Sequence, residues 1–280
     1  MIIFTDFINR LFINKYATLW PILVKSEKKY MFKKYAINFD LDDPQTTIAH
    51  HEIILKKRFL KHLYNDWYSV FIKKAREVKK GIYLEIGSGG GFLKEVFPEV
   101  VTSDIARLPN VDKVFNAEEI PFNDNELGCI VMMNVFHHIP RPYLFLKEAE
   151  RTLIKGGKII MTEPANSNLG RFIYRRFHYE PFDIHGAREI SAGNRLSNSN
   201  QALPYIYFER DLDLFTKDFP GLRINSIKYH SPFSYIISGG VSRSAMLPYF
   251  TYNIVKAVEW LLSPFSKQLG LFCTIEIEKI

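Results

Sequence analysis

The sequence predicts an α/β protein built on a mostly parallel sheet, and three observations predict it. From Gly81 onward, short apolar runs of strand character alternate with helical periodicity. A glycine cluster, LEIGSGGGFL (84–93), follows the first of those runs. A second run, LIKGGKII (153–160), joins the end of a helical pattern to a strand through paired glycines.

The elements follow in order. Leu60, Leu63, Tyr64, Trp67, Tyr68, Phe71 and Ile72 step by threes and fours, an amphipathic helix ending before Gly81. An earlier segment, Phe4, Phe7, Ile8, Leu11 and Phe12 with Pro21 beyond, reads as another helix that covers the core, with a membrane surface as the alternative. Residues 1–80 therefore form an N-terminal helical cap, and 81–280 the main domain. Within that domain the pattern gives a strand at 82–86, a helix near 91–97, and strands at 100–104 and 128–134. A helix at 141–154 and a strand at 157–163 follow, with Gly156 and Gly157 expected in the left-handed cap between them. After Pro164 the rhythm stops, which marks an insertion at about 164–208 rich in Arg, His, Asn and aromatics, a length that binding loops often have. It resumes with a helix near 209–218 and two alternating stretches, 222–230 and 270–280. Between these lies a second insertion, about 232–268. Its helix near 246–262 sets Leu247, Phe250, Ile254, Val258 and Leu261 on one side, a surface expected to be buried.

Composition bounds the function. A chain of 280 residues with 47% hydrophobic and 24% charged residues has the balance of a globular protein, not of a disordered one. Cys129 and Cys273 are the only cysteines and lie far apart in apolar runs, as reduced core thiols do, so a disulfide framework or a zinc site is not expected. No apolar stretch reaches the roughly 18 residues of a membrane span. Asp6 and Arg10 interrupt the opening segment, which lacks the layout of a signal peptide; a cytoplasmic protein is expected. The net charge of +7 arises before the glycine cluster, where residues 1–80 hold 16 Lys/Arg against 8 Asp/Glu. This basic excess reads either as an anionic partner, with peripheral contact at the inner membrane face among the options, or as a solvated lysine-rich face.

The glycine cluster carries the chemistry. A dinucleotide fingerprint fails on spacing, because its third glycine would fall on Phe92 or on Lys94. What stands here is E-x-G-x-G-x-G, as Glu85, Gly87, Gly89 and Gly91, with Asp104 at the tip of the next strand. A carboxylate at that tip can accept both hydroxyls of a ribose in the crevice of an open α/β sheet.

With these residues in view, the stretch from about 82 to 163 resembles the class I S-adenosylmethionine-dependent methyltransferases, of the methyltransferase type 11-like kind. NAEEIPF (116–122) is similar to the family segment that packs on the adenine, MNVFHHIP (133–140, with Met133 first) to its fourth-strand tip, and LIKGGKIIMTEP (153–164) to its helix-to-fifth-strand turn. The resemblance implies a Rossmann-like, doubly wound, seven-stranded sheet whose last strand is antiparallel. It implies S-adenosyl-L-methionine as cofactor, held by Glu85, Gly87, Ser88, Gly89, Gly91, Asp104, Ile105, Asn116, Ala117, Glu118 and Asn134. Two departures stand out: Asn116 occupies a position often held by Asp, and Leu127–Gly128–Cys129 occupies a strand start where the family commonly has Asp. The Asn carbonyl can still accept from an adenine amine.

His137 and His138 follow the fourth strand, where a histidine could act as base or brace the turn, and Glu163 ends the fifth strand. HYEPFDIH gathers His178, Glu180, Asp183 and His185, read as substrate contacts of a lid loop; their spacing matches no metal motif, and no metal ligands are assigned. Arg175, with Arg171 and Arg176, could fork onto a phosphate or carboxylate of the acceptor. The expected activity is methylation of a small-molecule or lipid-linked acceptor, on oxygen, in a glycan, glycolipid or other metabolite. The alternative is a non-catalytic membrane-surface or partner-binding protein on the same scaffold. No Asn-Pro-Pro-Tyr-like signature follows the fourth strand, so DNA is not expected as acceptor.

Overall fold

The computed structural model describes residues 40, 42–191, 193 and 198–280. The amphipathic segment at Phe4–Phe12 lies outside the described residues. Two helices come first, α1 (Pro44–Lys56) and α2 (Arg58–Ala75). Asp43 caps α1 by accepting from Gln45 N at 2.8 Å, and Pro44 starts the first turn, where its missing N–H costs nothing.

The main domain then runs β1 (Ile82–Ile86), α3 (Leu93–Val96), β2 (Val101–Asp104), β3 (Lys113–Val114) and β4 (Leu127–Met133). A 3₁₀ turn at Phe136–His138 leads into α4 (Pro142–Thr152) and β5 (Leu153–Pro164). The first insertion holds α5 (Asn168–Phe177) and α6 (Leu203–Tyr205), which passes through a π-helical turn, Ile206–Arg210, toward α7 (Leu212–Asp218). Then come β6 (Leu222–His230), α8 (Ser234–Ser238), α9 (Tyr252–Leu261), α10 (Ser266–Leu269) and β7 (Phe272–Lys279).

The strands form one seven-stranded sheet in the order β3-β2-β1-β4-β5-β7-β6, in which β7 alone runs antiparallel to its neighbours. Strand alternation divides the core. On one face Leu84, Ile130, Met132, Ile159 and Met161 meet Phe145, Leu146 and Ala149 of α4. On the other, Cys129, Val131 and Ile160 meet Tyr68 and Phe71 of α2. Both cysteines are buried free thiols. Helices on both faces make the sheet doubly wound, which brings the carboxyl ends of β1, β2 and β4 to one rim.

Several boundaries move. The predicted helix at 141–154 ends at Thr152, because Leu153 is already extended and pairs with Leu127. The ladder then skips to Cys129↔Lys158. Gly156 takes the left-handed conformation (φ 78°) within that detour, but Gly157 does not. The two-residue β3 was not foreseen; two residues carry no period to read. The helix near 209–218 begins only at Leu212, after the π-helical turn Ile206–Arg210.

The larger correction concerns α9. Its buried side is Tyr252, Val255 and Glu259, while Phe250, Ile254, Val258 and Leu261, the side expected inward, are exposed. Polar anchors decide the rotation. Glu259 Oε1 accepts from Phe233 N and Ser234 N at 3.0 and 2.7 Å, and Tyr252 donates to Asp66 Oδ2 at 2.7 Å. Tyr252 and Val255 then pack with Phe59, Leu63 and Trp67 of α2 in a satellite core.

Candidate active site

The rim of β1, β2 and β4 opens on a cavity of about 320 Å³. Its floor is the glycine loop. Gly87 (φ 68°) and Gly89 (φ 49°) both take the left-handed backbone that favours glycine. They are required for different reasons. A Cβ on Gly87 would stand 2.4 Å from Val135 Cγ2, whereas one on Gly89 would meet nothing closer than Gly87 O at 3.7 Å. A Cβ on Gly91 would stand 2.6 Å from Tyr68 Oη. Protein packing thus explains Gly87 and Gly91, and Gly89 faces open space.

Two carboxylates flank the loop. Glu85 is buried, and its Oε2 accepts from Ser88 Oγ at 2.6 Å; Oε1 accepts no hydrogen bond among the described residues. Burial pushes its pKa up to about 7, against the Ser88 hydrogen bond that lowers it, and nearby Asp104 raises it further. Asp104 accepts from Gly89 N and from Ala106 N, each at 2.9 Å, which ties the tip of β2 to the loop. Ser88, Ile105, Asn116, Ala117 and Asn134 complete this half of the lining, so the predicted cofactor set lies on one cavity with a single exception. Glu118 is not in the lining; it accepts from Arg141 N and Nε at 2.8 and 2.9 Å and braces the start of α4.

The cap closes the other half. His51 Nδ1 lies 3.0 Å from Gly91 O, and Tyr68 Oη accepts from Phe92 N at 3.1 Å, so α1 and α2 are bonded to the loop they cover. Thr47, His50, Ile54, Tyr64 and Tyr68 of these helices face Met133 of β4 and Tyr235 and Val241 of the second insertion across the cavity. Lys57, buried between the helices, donates to Gly240 O and to Arg243 O, which ties the insertion to the cap. Sequence reading missed this wall. Tyr64 and Tyr68 were legible as one stripe of a helix, but the stripe alone does not separate core from cavity.

Behind the β4 turn lies a buried cluster. Glu163 Oε1 accepts from Val135 N and Phe136 N, both at 2.8 Å, and its Oε2 lies 2.5 Å from His137 Nδ1. His137 Nε2 lies 3.3 Å from Glu180 Oε2, and His138 Nε2 lies 3.8 Å from Glu180 Oε1. Burial lowers the His137 pKa, but the carboxylates of Glu163 and Glu180 outweigh it and hold the imidazole at about 9. His138 moves the opposite way, to about 3, through burial and then the neighbouring His137 charge. Only His138 of this cluster also lines the cavity.

The predicted acceptor residues separate. Glu180 joins the histidine cluster, and Gln201 Nε2 connects it to His178 by approaching Glu180 Oε2 at 3.0 Å and His178 Nδ1 at 2.5 Å. Asp183 and His185 are exposed, and Asp183 turns its own loop by accepting from His185 N at 2.9 Å. Arg171, Arg175 and Arg176 border a shallow surface hollow away from the cavity.

Residues 84–161 match a protein family described as "Methyltransferase domain". An uncharacterized protein of Methanocaldococcus jannaschii is 30% identical over 94 residues, which are 31% of this chain and 46% of that protein, so the match spans about half of that relative. Among solved structures, a SAM-dependent methyltransferase from Thermotoga maritima aligns with a TM-score of 0.45 and 19% identity, over 82% of this chain and 99% of that one. Geranyl diphosphate C-methyltransferase from Streptomyces coelicolor A3(2), crystallised with Mg2+, geranyl diphosphate and S-adenosyl-L-homocysteine, aligns with a TM-score of 0.43 and 13% identity, over 85% and 86%.

Proposed function

We propose that the chain, whose residues 84–161 match a methyltransferase-domain family, transfers the methyl group of S-adenosyl-L-methionine to the oxygen of a small or lipid-linked acceptor. One observation carries this reading: Glu85, Asp104 and the open face of Gly89 border the same cavity. The donor set fits the cofactor. A buried carboxylate with a free oxygen suits an ammonium group, and a carboxylate at the tip of β2 suits a pair of hydroxyls. Asn116 and the apolar Ile105 and Ala117 suit an adenine.

When bound, the cofactor supplies a sulfonium-activated methyl group. The chain's own task is to hold the acceptor oxygen in line with it and to exclude water. Tyr64, Tyr68, Met133 and Tyr235 provide an aromatic and apolar wall for that purpose. Apart from Glu85 and Asp104 at the cofactor end, no described residue of the lining is a carboxylate that would ion-pair with a cationic amine, which favours a neutral hydroxyl as acceptor. His138, neutral at pH 7, can exchange a hydrogen bond with such a hydroxyl, whereas His137 and Glu163 brace the turn that presents it.

Isothermal titration with S-adenosyl-L-methionine tests the cofactor half, with saturable one-to-one heat as the expected result and no heat at millimolar cofactor as the contrary one. Incorporation of labelled methyl into hydroxylated metabolites tests the rest; transfer to amines alone contradicts the oxygen assignment.

The exposed side of α9 favours the lipid-linked form of the acceptor. Trp260 is 74% exposed, and Phe250, Ile254 and Leu261 accompany it. No helix among the described residues is long and apolar enough to cross a membrane. Sedimentation with anionic liposomes, lost on Trp260→Ala, is the expected result; a chain that stays in the supernatant at low salt counts against it.

A further inference from the structure

We infer that His137, His138 and Glu180 form a binding site for one divalent transition-metal ion beside the cavity. One ligand atom from each residue comes within 4.8 Å of the others. Two atoms bound at about 2.0–2.2 Å to a common ion in tetrahedral or octahedral geometry stand roughly 3.0–3.6 Å apart. The separations here are 3.3 Å for His137 Nε2 and Glu180 Oε2, and 3.8 Å for His138 Nε2 and Glu180 Oε1, so the carboxylate would meet the ion with both oxygens and His138 would close on it by a few tenths of an ångström. The longer separation is no hydrogen bond.

Two features support an ion. Gln201, whose Nε2 donates to Glu180 Oε2 at 3.0 Å, holds its Oε1 buried with no hydrogen-bond partner among the described residues. Glu163 stands behind His137, with Oε2 2.5 Å from Nδ1, which fixes the ring so that Nε2 points at Glu180. A carboxylate behind an imidazole in this way orients a metal ligand and raises its basicity. Two imidazoles and one carboxylate select zinc or iron(II) over magnesium, which prefers an all-oxygen shell.

The sequence concealed the site. His137 and His138 lie in the turn after β4, and Glu180 comes from the first insertion, so no ligand spacing exists to be read. An ion here would also staple that insertion to the turn. If the chain methylates a hydroxyl, as proposed above, an ion bordering the cavity would acidify that hydroxyl; this consequence rests on that proposal, and the binding of the ion does not.

The experiment uses cobalt(II) as the probe on the full chain. Equilibrium dialysis and visible absorption are expected to show one ion per chain with a ligand-field band. Glu180→Gln should lose both, and Glu163→Gln should weaken binding by about 10–100-fold as the supporting carboxylate is lost. The same samples are titrated with S-adenosyl-L-methionine, which Glu180→Gln should still bind. Should Glu180→Gln fail to fold, His138→Gln replaces it. Wild-type protein that retains no stoichiometric cobalt, or variants that bind it as well as wild type, overturn the site. Cobalt binding without cofactor binding instead overturns the methyltransferase reading and leaves the metal site standing.

Discussion

The two walls of the cavity are built by different rules. The cofactor wall comes from one stretch, residues 85 to 134, in which backbone conformation and short-range hydrogen bonds do most of the work: left-handed glycines, a carboxylate bonded to two amides, an Asn turning its own loop. The acceptor wall comes from three distant segments, α1–α2, the tip of β4 and the second insertion, joined through packing, the Lys57 bridge and the Tyr252–Asp66 hydrogen bond. The difference teaches that a shared cofactor can be held by local sequence, while selectivity for an acceptor is distributed over side chains that meet only in the folded chain.

Substitutions on each wall can break or sharpen that contrast. The largest effect is expected from Gly87→Val, which drives a side chain into Val135 and imposes a φ of 68° on a β-branched residue. Cofactor binding should disappear in a titration while a folded far-ultraviolet spectrum remains. Behind the other wall, Leu63→Ala empties a buried site between α2 and α9 and should lower unfolding free energy by about 2–5 kcal/mol, read by urea denaturation. Asp104→Ala should weaken cofactor binding by about 1.5–3 kcal/mol, the scale of a hydrogen bond to a charged group, with the acceptor KM changed little.

The pH dependence separates the walls without a mutation. Glu85 is protonated below about 7 in the free chain. A cationic ammonium favours its ionised form, so binding takes up no proton and releases one as the pH falls below 7. Cofactor affinity should therefore weaken by up to about tenfold for each pH unit below that point and level off above it. Glu85→Gln should flatten the profile. Smallest is Tyr64→Phe, expected to raise the acceptor KM by about 0.5–1.5 kcal/mol and to leave cofactor affinity unchanged; a change in cofactor affinity instead would blur the division.

Legibility in the sequence follows the same line. The parallel core and the residues around Gly87 and Asp104 could be read from strand alternation and loop glycines, which are local signals, whereas the antiparallel last strand came from the family resemblance. The orientation of α9 could not. Both sides of that helix are apolar, and the choice was made by Glu259 bonding amides in α8 and by Tyr252 reaching Asp66, contacts that periodicity does not encode. Glu118 lies outside the lining for a similar reason: its position in the segment suited an adenine contact, but Arg141, 23 residues on, binds its carboxylate. Tyr235 carried no signal, since nothing in the second insertion announces that it will line the same cavity as Tyr64.

The central claim is that the rim of β1 and β2 is a cofactor site. A crystal structure of the chain with S-adenosyl-L-homocysteine tests it most directly. The expected result is the ribose hydroxyls on Asp104, the amino group beside Glu85 and the adenine against Ile105 and Ala117. Density for the nucleoside elsewhere, with the glycine loop still facing an empty cavity, would contradict it.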